Sequence, residues 1–150
     1  MAEPITRFYD EYRWLSNFWM SPVVFDDKMY ASVEHAYQAN KAVGDTDHLY
    51  VALAPTAGKA KKRGQAIEVR PDWDRVKASI MEACLRSKFA PGTELAQKLI
   101  DTGDAELVEG NTWGDTTWGK VLVGGRWEGQ NHLGNLLMKI RENLTVTGEN

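Results

Sequence analysis

Glu34, Gln38 and Lys41 recur at i, i+4 and i+7, which places a carboxylate, an amide and an amine on one face of a helix. Together they supply a proton carrier, an orienting group and a potential nucleophile. A carboxylate near a helix start is favoured in its charged form by the helix dipole. A lysine becomes a free amine near neutral pH only if it is desolvated or has a cationic neighbour. Read from the pattern alone, the same stripe also describes a solvated helix face.

Two further segments carry chemical potential. In Trp113-Gly114-Asp115 the glycine allows close backbone approach, the indole offers a stacking plate, and the carboxylate can bind a ribose hydroxyl or move a proton. An ordinary turn with a buried indole reads equally well. The basic run Lys59 to Arg63 could hold a phosphate, with Lys59 and Arg63 as the contacts, or form a solvated face. Gly124 to Gly129 is a glycine-rich loop matching neither a dinucleotide fingerprint nor a phosphate-binding loop. Asn131 beside it suits a helix cap or a ligand contact. His35, His48 and His132 have no zinc-ligand spacing, and Cys84 falls on the inner face of a helix, so no metal is expected.

The elements that must position these residues are mostly helical. Ile5 to Tyr9 reads as a short strand, Trp14 to Phe18 as an aromatic loop, and Val23 to Ala31 as a hairpin turning at Asp26-Asp27-Lys28. Ser32 is placed to cap the helix that carries Glu34. Asp47 and Thr56 are expected to cap two short helices. Asp72 is expected to cap the longest, Trp73 to Phe89, with Trp73, Val76, Ile80, Ala83 and Cys84 inward. Glu94 to Asp101 is a further helix closed by Gly103. Leu107-Val108 and Lys120 to Val123 read as short strands, and His132 to Leu144 as the last helix, with a frayed tail from Thr145. The expected fold is α+β: a single helix-rich domain with a small sheet of short strands, ordered over about residues 5–144 of 1–150.

Composition narrows the class. The chain has 150 residues, 43% hydrophobic, enough for one domain with a real core. A net charge of -3 provides no global field for nucleic acid. One cysteine excludes an internal disulfide framework and fits a reducing compartment. No apolar run has the length of a membrane span and the first residues lack a signal-peptide pattern, so a cytoplasmic protein is expected. Six tryptophans, several beside glycines, exceed what packing alone requires.

In order along the chain, Phe8-Tyr9, Leu15 to Phe18, Tyr30 to Lys41, Trp73 through Phe89, Leu107 to Glu109, Trp113 to Asp115 and Asn131 to Met138 resemble the NADAR family, the YbiA-like N-glycosidases. The resemblance implies a YbiA-like fold and hydrolysis of the bond between a ribose C1 and a base-like nitrogen. It implies one of two substrate types: ADP-ribose on guanine in nucleic acid, or the phosphoribosylamino-pyrimidine intermediates of riboflavin synthesis. It implies no cofactor and no membrane partner, with at most a short contact to single-stranded nucleic acid. It makes Glu34, Lys41 and Asp115 the catalytic residues, and Asn17, His35, Gln38, Trp73, Trp113, Gly114 and Asn131 substrate contacts. Two routes are open: Lys41 forms a Schiff base at C1, or Glu34 or Asp115 activates water while Lys41 binds a phosphate or hydroxyl. The alternative function is a module that binds ADP-ribose or a related nucleotide without turnover.

Overall fold

A computed structural model describes residues 2–148. The chain gathers into two compact units, Asn17–Lys88 and the segments on either side of it.

The Asn17–Lys88 unit begins with an antiparallel hairpin, β1 (Val23–Phe25) and β2 (Lys28–Tyr30), in which Val23 pairs with Tyr30. Asp26 and Asp27 both have positive φ (52° and 63°), the backbone that a tight two-residue hairpin turn requires. Helix α1 (Val33–Ala39) follows, and Ser32 caps it as expected: its hydroxyl accepts the His35 backbone N–H. Every residue of α1 is buried, because α2 (Asp45–Ala52), α3 (Ala57–Ala66) and α4 (Trp73–Lys88) all surround or adjoin it. A seven-residue helix has little stability of its own, so this enclosure holds it. Thr56 caps α3 through the Lys59 N–H.

Three details of this unit differ from expectation. Helix α2 starts at Asp45 after Gly44, so Asp47 lies in its first turn, where it meets the helix dipole but caps nothing. Asp72 spends its carboxylate on Arg70, whose Nε and Nη2 donate at 2.5 and 2.8 Å. Ala83 is exposed, and Met81, Leu85 and Lys88 join Trp73, Ile80 and Cys84 on the buried face of α4.

In the other unit, Ile5 bridges in parallel to Leu107, and a 3-10 helix (Asp10–Leu15) takes part of the expected aromatic loop. Trp14 meets Phe89 edge to face at 6.4 Å. Helix α5 (Glu94–Asp101) lies where the sequence placed it, capped by Thr93 through the Ala96 N–H. A three-stranded sheet has the order β3 (Gly110–Asn111), β4 (Lys120–Val123), β5 (Arg126–Glu128), parallel then antiparallel. The expected Gly124 to Gly129 loop is therefore half strand. Gly124 and Gly125, with φ of 56° and 82°, form the turn, and Arg126 pairs back to Val123. Helix α6 (His132–Gly148) continues past Leu144 instead of fraying at Thr145, and packs against α5. The core of this unit includes Leu15, Phe89, Leu99, Leu107, Leu137 and Ile140.

Candidate functional site

The Asn17–Lys88 unit brings five of the expected residues into one cluster around α1. Glu34 and Gln38 are 7% and 4% exposed, so their shared face is an interior one and the solvated reading fails. Their spacing lets the Gln38 Nε2–H donate to Glu34 Oε1 at 2.8 Å. Asn17 anchors the entry: its backbone carbonyl accepts the Glu34 N–H at 3.1 Å, while its side-chain Nδ2–H faces the Met81 sulfur at 3.5 Å. The side-chain oxygens of Asn17 and Gln38 are both buried without a hydrogen-bond partner.

Lys41 is not on the helix. Helix α1 ends at Ala39, Asn40 closes it with Nδ2–H donating to the Ala36 carbonyl at 2.6 Å, and Lys41 occupies the following turn. Its backbone is clamped from both sides: its N–H donates to the Gln38 carbonyl at 3.2 Å, and its carbonyl accepts the Arg70 N–H at 2.8 Å. Nζ lies 5.9 Å from the centre of the Tyr37 ring, and Tyr37 packs at 4.9 Å against Trp73. Trp73 is thus buried against Tyr37, not an open stacking plate.

Burial lowers the Lys41 pKa below the usual lysine value. The Glu34 charge opposes that shift, while Lys61 on α3 and Lys77 on α4 add to it. A desolvated amine with cationic neighbours is the condition under which a lysine acts as a nucleophile near neutral pH. Lys61 falls inside the basic run Lys59 to Arg63 without being one of its expected contacts, and Lys77 was not singled out from sequence. Lys61 Nζ sits 5.9 Å from the Phe18 ring, and Lys77 pairs with Asp74 at 3.1 Å. The only sequence signal for Lys77 is its place one helical turn after Trp73.

Other expected contacts are committed elsewhere. The His35 ring is fully buried, and its Nε2–H donates to the Ala54 carbonyl at 2.8 Å. Nδ1 lies 2.7 Å from the Ser32 hydroxyl, so both ring nitrogens are engaged and none remains for a substrate. The Arg63 guanidinium stacks on Tyr50 at 4.6 Å and donates to the Tyr50 carbonyl at 2.8 Å, tying α3 to α2. Lys59 is exposed, one residue after Gly58.

Trp113, Gly114, Asp115 and Asn131 belong to the other unit. Trp113 is 64% exposed, which rules out the buried-indole reading, and Gly114 has φ 88°. Asp115 Oδ1 accepts the backbone N–H groups of Thr117 and Trp118 at 3.0 and 2.9 Å, bracing the loop that carries Trp113. Asn131 is buried with φ 53°: its Oδ1 accepts the Glu109 N–H at 3.0 Å and its Nδ2–H donates to the Leu107 carbonyl at 2.9 Å. Its amide is therefore a fold-holding bracket, not a side-chain helix cap or a ligand contact. Cys84 is fully buried and its thiol is pushed up to about 12, which makes it inert. Among the described residues no group of three or more His, Cys, Asp or Glu could hold a metal ion, and no helix is long and apolar enough to cross a membrane.

The NADAR domain profile matches residues 6–145. The chain belongs to the NADAR family. It is similar to N-glycosidase YbiA of Escherichia coli, 34% identical over 97% of this chain and 92% of that protein. It is also similar to an N-glycosidase of Nostoc punctiforme, 36% identical over 95% and 94% of the two chains. A riboflavin biosynthesis protein of Vibrio vulnificus is 34% identical over 96% of this chain, which spans 39% of that longer protein. The NMR structure of E. coli YbiA matches the fold with a TM-score of 0.83 at 34% identity, covering 99% of this chain and 89% of the other. This NADAR chain is accordingly a hydrolase acting on N-glycosyl bonds, and its helix-rich α+β fold with small sheets of short strands is the YbiA-like one.

Proposed function

We propose that the chain hydrolyses the ribose C1–N bond of a phosphorylated ribosyl-base, with Lys41 as nucleophile and Glu34 as the acid–base group. The observation that carries this reading is the pairing of a desolvated, lowered-pKa amine at Lys41 with a buried Glu34 carboxylate held by Gln38. A module that only binds nucleotide has no use for a reactive amine kept at the cost of its solvation.

The steps follow from these groups. The Glu34 carboxyl gives its proton to the departing nitrogen as the C1–N bond breaks, a contribution of about 10²–10⁴-fold for well-placed acid–base help. The Lys41 amine forms a bond to C1. The ring C1–O bond then opens, with the amine proton passing to that oxygen, and leaves a Schiff base. Water adds to C1 while the Glu34 carboxylate takes one of its protons, and the Lys41 amine departs. The net change is water added across C1–N. Lys61 and Lys77, already close enough to Lys41 to act on its charge, are the groups proposed to hold the substrate phosphate, in place of Lys59 and Arg63. Asp115 has no step in this route.

The riboflavin-related name of a relative favours a phosphoribosylamino-pyrimidine substrate, and guanine-linked ADP-ribose is tested beside it. The experiment is mass spectrometry of products from each. Ribose 5-phosphate, or ADP-ribose with restored guanine, names the substrate class. Saturable binding of both without product overturns the enzymatic reading in favour of a nucleotide-binding module.

A further inference from the structure

We infer that Gly64 is a positioning residue for the Glu34 carboxylate, acting through the amide of Gln38. The inference rests on the reading of Glu34 as the acid–base group.

Glycine inside a helix is disfavoured against alanine because it loses more backbone freedom. Gly64 lies within α3 and is not among the glycines with positive φ, so no backbone conformation demands it. Its surroundings do. A Cβ at this position would run into Gln38 Oε1 and come within 2.9 Å of Cδ and 3.0 Å of Cβ of the same side chain. Gly58, in the first turn of the same helix, is different: a Cβ there meets Phe18 at 3.9 Å and Thr56 at 4.0 Å, both ordinary contacts. The tight approach is therefore specific to Gln38.

The Gln38 amide is fixed at both ends by different means. Nε2–H is bonded to Glu34, and Oε1, without a hydrogen-bond partner, is wedged against the bare Gly64 backbone. A buried acceptor left without a donor is unfavourable. The opposite amide orientation would turn that oxygen toward a carboxylate oxygen. The absence of a side chain at 64 thus leaves the amide the one orientation in which it donates to Glu34. Adding a methyl group there forces Gln38 aside and removes the donor from the carboxylate. Lys41 interacts with the Glu34 charge, and Lys61 of α3 and Lys77 of α4 act on Lys41; none of these charges is altered by the substitution.

The test is a double-mutant cycle on kcat, KM and the pH profile, using the phosphoribosylamino-pyrimidine and the guanine-ADP-ribosylated oligonucleotide. The variants are Gly64→Ala, Gln38→Ala, their combination, and Glu34→Gln. Gly64→Ala is expected to lower kcat on the order of 10–100-fold with a smaller change in KM, as a displaced catalytic group does. The limb of the profile that reports carboxylate ionisation should move to higher pH, because the ionised form has lost a hydrogen bond. Gln38→Ala should do the same, and adding Gly64→Ala to it should cost far less than Gly64→Ala costs the unmodified enzyme, because no amide remains to displace and only the 3.0 Å Cβ contact is left. Losses that multiply in the double variant overturn the inference, since Gly64 would then act by another path. So does a Gly64→Ala enzyme with unaltered kcat and profile while Glu34→Gln is inactive. A fully active Glu34→Gln enzyme overturns the underlying reading of Glu34 instead. If Gly64→Ala does not fold, Gln38→Ala against the double variant decides by the same comparison, the remaining contact there being Cβ to Cβ.

Discussion

The Lys41 amine lies 5.9 Å from the centre of the Tyr37 ring, and that ring packs at 4.9 Å against Trp73. The lysine is partly buried there, and that burial lowers its pKa below the usual lysine value. Lys41→Ala is expected to lose about 10²–10⁴-fold in kcat while retaining ligand affinity. Lys41→Arg keeps the charge but has no nucleophilic amine, and it should be as inactive. Turnover and equilibrium binding of the two variants check this. An active Lys41→Arg enzyme would show that only the charge matters.

The charges around Lys41 set the pH at which its amine is free. Lys61 and Lys77 lower its pKa, so Lys61→Ala and Lys77→Ala should each move the Lys41-controlled acidic limb of kcat/KM to higher pH. Glu34 raises that pKa, so its removal acts on Lys41 in the opposite direction. Loss of either lysine should also raise KM about tenfold, as expected for one charge-assisted contact of about 1.4 kcal/mol. Rate profiles from pH 5 to 9 read both effects.

Lys88 should dominate the alkaline part of the stability profile. It is 3% exposed, and burial pushes its pKa down to about 7 from an ordinary 10.5. Between those values the unfolded chain binds a proton that the folded chain does not, so stability rises with pH across about 7 to 10.5. The slope approaches about 1.4 kcal/mol per pH unit for one fully shifted group. Below about 7 both states are protonated and the full penalty of the buried charge is present. Urea unfolding at several pH values should show that Lys88→Met removes this rise.

Asn131 should prove structural. Asn131→Ala removes the hydrogen bonds to the Glu109 N–H and the Leu107 carbonyl and puts a non-glycine, non-asparagine residue at φ 53°. A loss of about 2–6 kcal/mol is expected from two broken hydrogen bonds to buried groups, each worth about 1–3 kcal/mol. Denaturant melts measure it. A loss below about 0.5 kcal/mol would mean that neither bond is held in solution.

The sequence made the local signals legible. Ser32, Thr56 and the Asp26-Asp27 turn act through neighbours a few residues away, and the structure has each where its residue type placed it. The periodic pattern also paired Glu34 with Gln38, since one helical turn brings them together. What the pattern missed depends on distant chain. It put Lys41 on the helix, whereas Asn40 closes α1 and residues near Arg70 clamp the following turn. It gave phosphate contact to Arg63, which Tyr50 holds, and passed over Lys61 and Lys77, whose proximity to Lys41 comes from the packing of α3 and α4 on α1. His35 looked available because its distant partner, the Ala54 carbonyl, is revealed only by the fold. Gly64 follows the basic run and reads from sequence as the end of its helix, whereas α3 continues to Ala66.

The most direct measurement is reductive trapping. The protein is incubated with the phosphoribosylamino-pyrimidine and, separately, with the guanine-ADP-ribosylated oligonucleotide, in the presence of cyanoborohydride, and its peptides are mapped by mass spectrometry. A sugar adduct on the peptide containing Lys41, absent from Lys41→Arg, with turnover falling as the adduct accumulates, is the predicted result. Full turnover with no adduct on Lys41, or undiminished activity in Lys41→Arg, would contradict the account.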